Sequence, residues 1–321
     1  MHAHDHHTPH AGHAHAGHAH AGHGHAAHAH APADFGRAFA IGIGLNAAFV
    51  AIEAGYGIAA DSLALLADAG HNLGDVFGLA LAWFGAWLGR RAATRTRSYG
   101  WRKATILAAF INAATLLVLC GGLAWEALER FAQPPSVAAT TVVVVAAVGI
   151  VVNGVTAWLF AGGREHDLNL RGAFLHMAAD ALVSLGVVLA GLAIAWTGAT
   201  WLDPALSLAI VAVIVWSTWD LARESLDMLL DSVPRHIDLA AVERAIAAVD
   251  GVAAVHHVHV WRLSTTEVAL TAHVVQTRPQ LDGDLLVRIG TALREGFGIR
   301  HCTLQMEHGA CAADETCDGG A

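Results

Sequence analysis

Charge is scarce in this 321-residue chain: 14% of its residues are Asp, Glu, Lys or Arg, where an ordinary soluble domain carries about a quarter. That scarcity excludes a typical soluble globule, and the apolar residues, 55% of the total, are gathered in blocks. Cysteine is scarce too. Four residues are too few for a disulfide framework, and Cys302, Cys311 and Cys317 fall in a tail assigned below to the reducing cytosol, where metal binding is the better use of a thiol. The N-terminus has neither the basic flank nor the apolar stretch of a cleaved signal peptide, so the first hydrophobic helix is expected to direct insertion. The formal charge of −9 says little about partners, because the basic residues are confined to particular loops; no nucleic-acid partner is expected.

What is present in quantity is membrane-length hydrophobicity. About 20 helical residues cross a hydrocarbon core of about 30 Å, and six such blocks are expected, near 35–59, 62–88, 104–128, 138–160, 173–196 and 204–221. Basic residues accumulate on the cytoplasmic side. Arg90, Arg91, Arg95, Arg97, Arg102 and Lys103 share the second loop, and Arg164 and Arg171 flank the fourth, whereas the first and fifth loops carry none and the third only Arg130. This predicts cytoplasmic termini and a plasma or inner membrane.

Residues 1–33 consist mostly of His, Ala and Gly and hold 13 of the 23 histidines. Such a segment buries too little apolar surface to offset its ordering entropy. It is expected to be a disordered cytosolic tail that gathers metal loosely, with a neutral low-complexity extension as the alternative. Residues 34–231 form the expected transmembrane domain. Residues 232–308 read as a small cytosolic α+β domain, with helices at 239–249 and 284–297 and strands at 256–263, 268–275 and 301–307, in the order αββαβ. A Cys-containing tail, 309–321, follows.

Ionisable residues inside a membrane are costly, about 2.5 kcal/mol or more each, and mark function by default. The second block contains Asp68-Ala-Gly-His71-Asn-Leu-Gly-Asp75 and the fifth His176-Met-Ala-Ala-Asp180. Each pairs a His with an Asp four residues on, which stacks both side chains on one helix face. Two imidazoles and two carboxylates suit tetrahedral Zn²⁺, whereas calcium and magnesium prefer all-oxygen shells and Cu(I) sulfur. A hydrogen bond between helices would explain one such pair; two identical pairs point to a metal. Asp68 lies near the same face and is expected either to orient a ligand histidine or to receive a proton, or else to sit at the helix end. Asn46, Asn112 and Asn153 read as packing polar groups. Glu53 is different, because an acid in an apolar helix must be neutral, paired or wet.

The paired motifs, the run from Ser62 to Asp75, Lys103, the segment Glu165-His166-Asp167-Leu-Asn-Leu-Arg171 and His256-His-Val-His-Val-Trp261 together resemble the cation diffusion facilitators, in their zinc-transporting branch. The resemblance implies a homodimeric metal/proton antiporter. Each subunit would have six membrane helices and a ferredoxin-like, metallochaperone-like cytosolic domain. It implies that His71, Asp75, His176 and Asp180 form the transport site, with His at the first position as the zinc-selective pattern. It implies a regulatory zinc site at His256, His273 and Glu307, with His257 and His259 weaker candidates because strand neighbours face opposite ways. Cys311 and Cys317 resemble the cysteine pair of vesicular zinc transporters. The loop 90–98 lacks His and Asp, so the extra site that some members carry there is not expected.

Zinc requires neutral imidazole and ionised carboxylate, so binding releases protons, and an unperturbed imidazole titrates near pH ~6.5. His71 and His176 are the natural coupling groups. An enzyme is not expected: four ligands close the shell that a catalytic zinc keeps open, and no His-Glu-x-x-His run is present. A membrane-anchored zinc sensor or buffer, and an exporter of broader range that includes Cd²⁺ and Co²⁺, stay as alternatives.

Overall fold

The computed structural model describes residues 37–132, 136–161, 168–277 and 283–308. The histidine-rich tail, Cys311 and Cys317 lie outside them. Six long helices come first: α1 (Arg37–Ala59), α2 (Leu63–Gly89), α3 (Ala104–Ala132), α4 (Ala139–Ala161), α5 (Leu168–Thr197) and α6 (Leu202–Leu229). Each lies within a few residues of an expected block except α6, which runs eight residues past the expected end at 221 because the amphipathic stretch beyond it keeps helical spacing. Four of them, α3 to α6, are long and apolar enough to cross a membrane by length and composition. Helix α2 has the length but gives part of its first half to Asp68, His71, Asn72 and Asp75.

The bundle reverses the usual order of inside and outside. Trp158, Trp196, Trp216, Val118 and Ile58 project outward, while Glu53, Asp68, Asn72, Asn153, Asp180 and Ser184 are enclosed. An apolar coat around a polar interior is the arrangement that hydrocarbon favours. Helix α5 packs mainly on α4, and α3 packs on α6 and α2. Helices α2 and α5 touch each other little, so what joins them is chiefly side chains. At Gly85 an added Cβ would lie 3.0 Å from the Ala104 carbonyl oxygen and 3.1 Å from Ala108 Cβ; glycine there lets α2 and α3 close as a hairpin.

Helix α2 is fixed at its start by a residue from α6. Ser62 is the N-cap and accepts from the Leu65 amide at 3.3 Å. Its hydroxyl donates to Asp203 Oδ1, whose carboxylate also receives the Leu63 amide at 2.7 Å and the Ala64 amide at 3.4 Å. A buried anion thus meets the exposed amides and positive dipole end of the helix.

The C-terminal domain contains α7 (Leu239–Ala247), β1 (Val252–Arg262), β2 (Val268–Gln276), α8 (Gly283–Phe297) and β3 (His301–Glu307), the expected αββαβ order. Strand β1 begins four residues earlier than expected. The sheet order is β1-β2-β3, with β1 and β2 antiparallel and β2 and β3 parallel across α8. One sheet face presents Val258, Val260, Leu270, Ala272 and Val274 to Val242, Ile246, Leu285, Ile289 and Leu293 of the two helices. The opposite face bears His256, His273 and Glu307, as the register requires: His256 is opposite His273, and Glu307 opposite Val275.

The segment between α2 and α3 meets this domain. Arg102 pairs with Glu267 at 2.7 Å, the Thr265 amide donates to Thr105 Oγ1 at 3.2 Å, and the Tyr99 ring stands edge-on to His301 at 5.4 Å. Lys103 pairs with Asp231, just past α6, at 2.7 Å. One end of the bundle is therefore the C-terminal-domain end; the start of α2 and the end of α5 mark the other.

Candidate metal centres

Helices α2 and α5 run antiparallel and bring together the four side chains expected from sequence. His71 Nε2 lies 3.3 Å from Asp180 Oδ1 and 3.9 Å from Asp75 Oδ2. His176 Nε2 lies 3.0 Å from Asp75 Oδ2 and 3.7 Å from Asp180 Oδ2. The two imidazoles stand edge-to-face, centroids 5.9 Å apart. A tetrahedron with bonds of about 2.0–2.1 Å has edges of about 3.3 Å, and these four separations bracket that length. Asp75 Oδ2 and Asp180 Oδ2 nevertheless receive no aligned hydrogen bond. Lone pairs that converge without a donor between them suit a cation.

Exposure grades along the axis. The Asp180 side chain is 2% exposed, His71 20%, Asp75 26% and His176 42%; one turn beyond Asp180, Ser184 and Asp68 are at 0%. Among the described residues, burial thus deepens from Asp75 and His176 toward Asp68 and Ser184. Asp68 is not a helix-end residue, and it does not orient His71, whose Nδ1 is without a hydrogen-bond partner. It accepts instead from Ser184 Oγ at 3.0 Å. Ser184 was missed in sequence although it continues the four-residue spacing of His176 and Asp180.

The second centre lies on the open sheet face. Glu307 Oε2 is 2.9 Å from His256 Nε2, and its Oε1 is 2.9 Å from His273 Nδ1. His257 joins them, with Nδ1 at 2.9 Å from His256 Nδ1 and ring centroids within 5.0–5.2 Å among the three histidines. In a regular strand His256 and His257 would face opposite ways. A register shift between His256 and His259, with His257 at φ 50°, breaks the alternation and turns His257 onto the ligand face. His259 stays outside the cluster, exposed. Partial burial alone would raise the Glu307 pKa. Hydrogen bonds from His256 and Gln305 and the nearby imidazoles outweigh it and hold the carboxyl below its usual value. His256, His257 and His273 each offer a ring nitrogen within 4.8 Å of the others, donors of the kind zinc accepts, and Glu307 bridges His256 and His273.

Two family profiles account for this architecture: "Cation efflux transmembrane domain" matches residues 39–230, and "Cation efflux protein, cytoplasmic domain" matches 234–309. The chain belongs to the cation efflux family. This cation efflux protein is 38% identical over 270 residues to the zinc transporter ZitB of Escherichia coli (strain K12), covering 84% of this chain and 86% of that one. It is 35% identical over 264 residues to the cadmium, cobalt and zinc/H(+)-K(+) antiporter of Bacillus subtilis (strain 168), covering 81% and 85%. It is 35% identical over 276 residues to the metal cation efflux system protein CzcD of Cupriavidus metallidurans, covering 86% and 87%. A solved structure, the metal-bound C-terminal domain of the CzcD transporter from Cuprividus metallidurans, aligns with 22% of this chain and 99% of its own at 36% identity, with a TM-score of 0.21. The resemblance drawn from the paired His/Asp motifs is borne out, and the chain is a membrane protein of a transporter family.

Proposed function

We propose that this cation efflux protein moves zinc out of the cytoplasm in exchange for protons, with His71, Asp75, His176 and Asp180 as the transport site. The observation that carries the reading is the quartet itself: two helices with little contact between them meet through four ligand side chains at zinc-like separations, inside an apolar-coated bundle. Its exposure, greater at Asp75 and His176 than at Asp180, supports one of the two states that alternating access requires. In this reading all six helices cross a plasma or inner membrane, both termini are cytoplasmic, and the site loads from the cytosol. Zinc binding displaces protons from the imidazoles, and protons arriving from the far side displace zinc. The relatives named for cadmium and cobalt support a range that extends to those ions, which share a preference for nitrogen and mixed donors.

His256, His257, His273 and Glu307 would hold regulatory zinc between the cytosolic domains of a homodimer, with Cys311 and Cys317 as additional ligands from the tail. Zinc there would bias the membrane halves through differential affinity for their two states.

Zinc flux into proteoliposomes with an imposed pH gradient tests the reading. Asp180→Ala is expected to abolish gradient-driven flux, a loss beyond the ~10–100-fold that outer-shell changes cost at metal sites. Zinc binding without flux in the natural chain would instead support an anchored sensor.

A further inference from the structure

The roles assigned so far leave a second group of enclosed polar side chains without a task. Glu53 on α1 and Asp68, Asn72 and Ser184 on α2 and α5 are all fully buried. Asn72 Nδ2 donates to Glu53 Oε2 at 3.4 Å, and Ser184 Oγ donates to Asp68 Oδ2 at 3.0 Å. Each carboxyl thus has one oxygen satisfied. The other two oxygens, Glu53 Oε1 and Asp68 Oδ1, receive no donor, although Asn72, which holds Glu53, stands one turn from Asp68 on the same face of α2. The other ionisable groups acting on the pair are His71 and Asp180. Helix α4, which also packs on α1, carries no ionisable residue, and the Asp203 carboxylate from α6 is held at the start of α2. Neither Glu53 nor Asp68 has a lysine or arginine beside it on its own helix face.

Ionised carboxylates only accept hydrogen bonds. Two of them cannot bond to each other, and two adjacent negative charges cannot both persist in a low-dielectric interior without a cation. One proton resolves both conflicts, because it gives one carboxyl a donor for the oxygen that lacks one. We propose that Glu53 and Asp68 hold one shared proton and form a proton-binding site separate from the metal ligands.

The location gives the site a role, and this part rests on the transport reading above. Asp68 precedes His71 by three residues and Ser184 follows Asp180 by four, about one turn each. The helices run antiparallel, so both steps lead away from the C-terminal domain. The carboxyl pair is therefore a layer on the more deeply buried side of the quartet, the ionisable layer next to it for a proton arriving from the far side. Transfer inward breaks one carboxyl O–H bond and forms one N–H or O–H bond on His71 or Asp180. The pair is left with an added negative charge, which the next incoming proton neutralises. Gly149 keeps the layer compact: an added Cβ there would lie 3.0 Å from Ser184 Oγ and 2.8 Å from the Phe49 ring.

Infrared spectroscopy of the full, zinc-free chain in lipid at neutral pH tests the site by the C=O stretch of a protonated carboxyl, which shifts in D₂O. The expected result is a band in the natural chain that is lost in Glu53→Gln, shifted in Ser184→Ala and retained in Asp180→Asn. The Ser184 variant leaves both acids in place and keeps the test decisive if Glu53→Gln does not fold. A natural chain without the band, or a band that survives Glu53→Gln, overturns the proposal. So does a band bleached by Na⁺ or K⁺ at constant pH, which would mark an all-oxygen site for a hard cation. Zinc binding by calorimetry on the same samples separates the two readings: its absence in the natural chain would sink the transport site and leave the proton site to be judged by the band alone.

Discussion

His257 has a backbone conformation that side-chain-bearing residues rarely adopt, φ 50°, and such a position costs about 1–3 kcal/mol unless the surroundings hold it. Here it turns a third imidazole toward His256 and His273. His257→Gly is therefore expected to weaken zinc binding at the sheet, measured on the purified full chain, while leaving the metal-free protein at least as stable, because glycine adopts this conformation freely. His259→Ala, one pleat away and outside the cluster, is expected to change neither. Glu307 contributes in another way. Its folded-state pKa is depressed, so its share of stability is complete above the ordinary carboxylate value of about 4.3 and is lost as pH falls through the lower folded value. In metal-free protein Glu307→Gln is expected to flatten the acid limb of a melting-temperature profile below about pH 4.3. At the quartet, His71→Asp exchanges a nitrogen ligand for an oxygen, and competition binding is expected to show zinc losing ground to manganese.

At the scale of elements, legibility followed period and length. The apolar blocks announced their helices because nothing else in a protein needs about 20 apolar residues in a row, and the strands of the C-terminal domain came from their β-branched runs. The quartet was readable because a four-residue step on a helix fixes a shared face regardless of what packs around it. The His257 bulge was not readable: strand alternation places it opposite His256, and only the register shift against β2 reverses that. The Asp203 clamp was hidden as well, since a lone Asp at a helix start looks like an ordinary first-turn acid until a second helix N-terminus is found against it. Removing a capping carboxylate typically costs about 0.5–2 kcal/mol. Asp203→Ala also leaves the enclosed Ser62 hydroxyl without its acceptor, at about 1–3 kcal/mol for a buried unsatisfied group. A lowered thermal midpoint in detergent, with zinc stoichiometry unchanged, is the expected outcome.

At the scale of the molecule, the two candidate metal centres lie on opposite sides of a thin interface. Its ion pair Arg102–Glu267 has both side chains about half exposed, and exposed pairs contribute about 0.2–1 kcal/mol and weaken with salt. Hydrogen exchange in the 99–105 and 263–267 segments is therefore expected to quicken as ionic strength rises, while exchange around Asp203 stays unchanged. The α2–α3 hairpin is thus held unequally: the beginning of α2 by an enclosed carboxylate that ions in solution do not reach, the turn into α3 by contacts that water and salt loosen. A hairpin closed on itself at Gly85 and gripped at one end swings about the grip. With Asp203 as the pivot, displacement grows along α2, so Asp75 travels farther than His71, and in the proposed transport site it would be the first ligand to part from zinc.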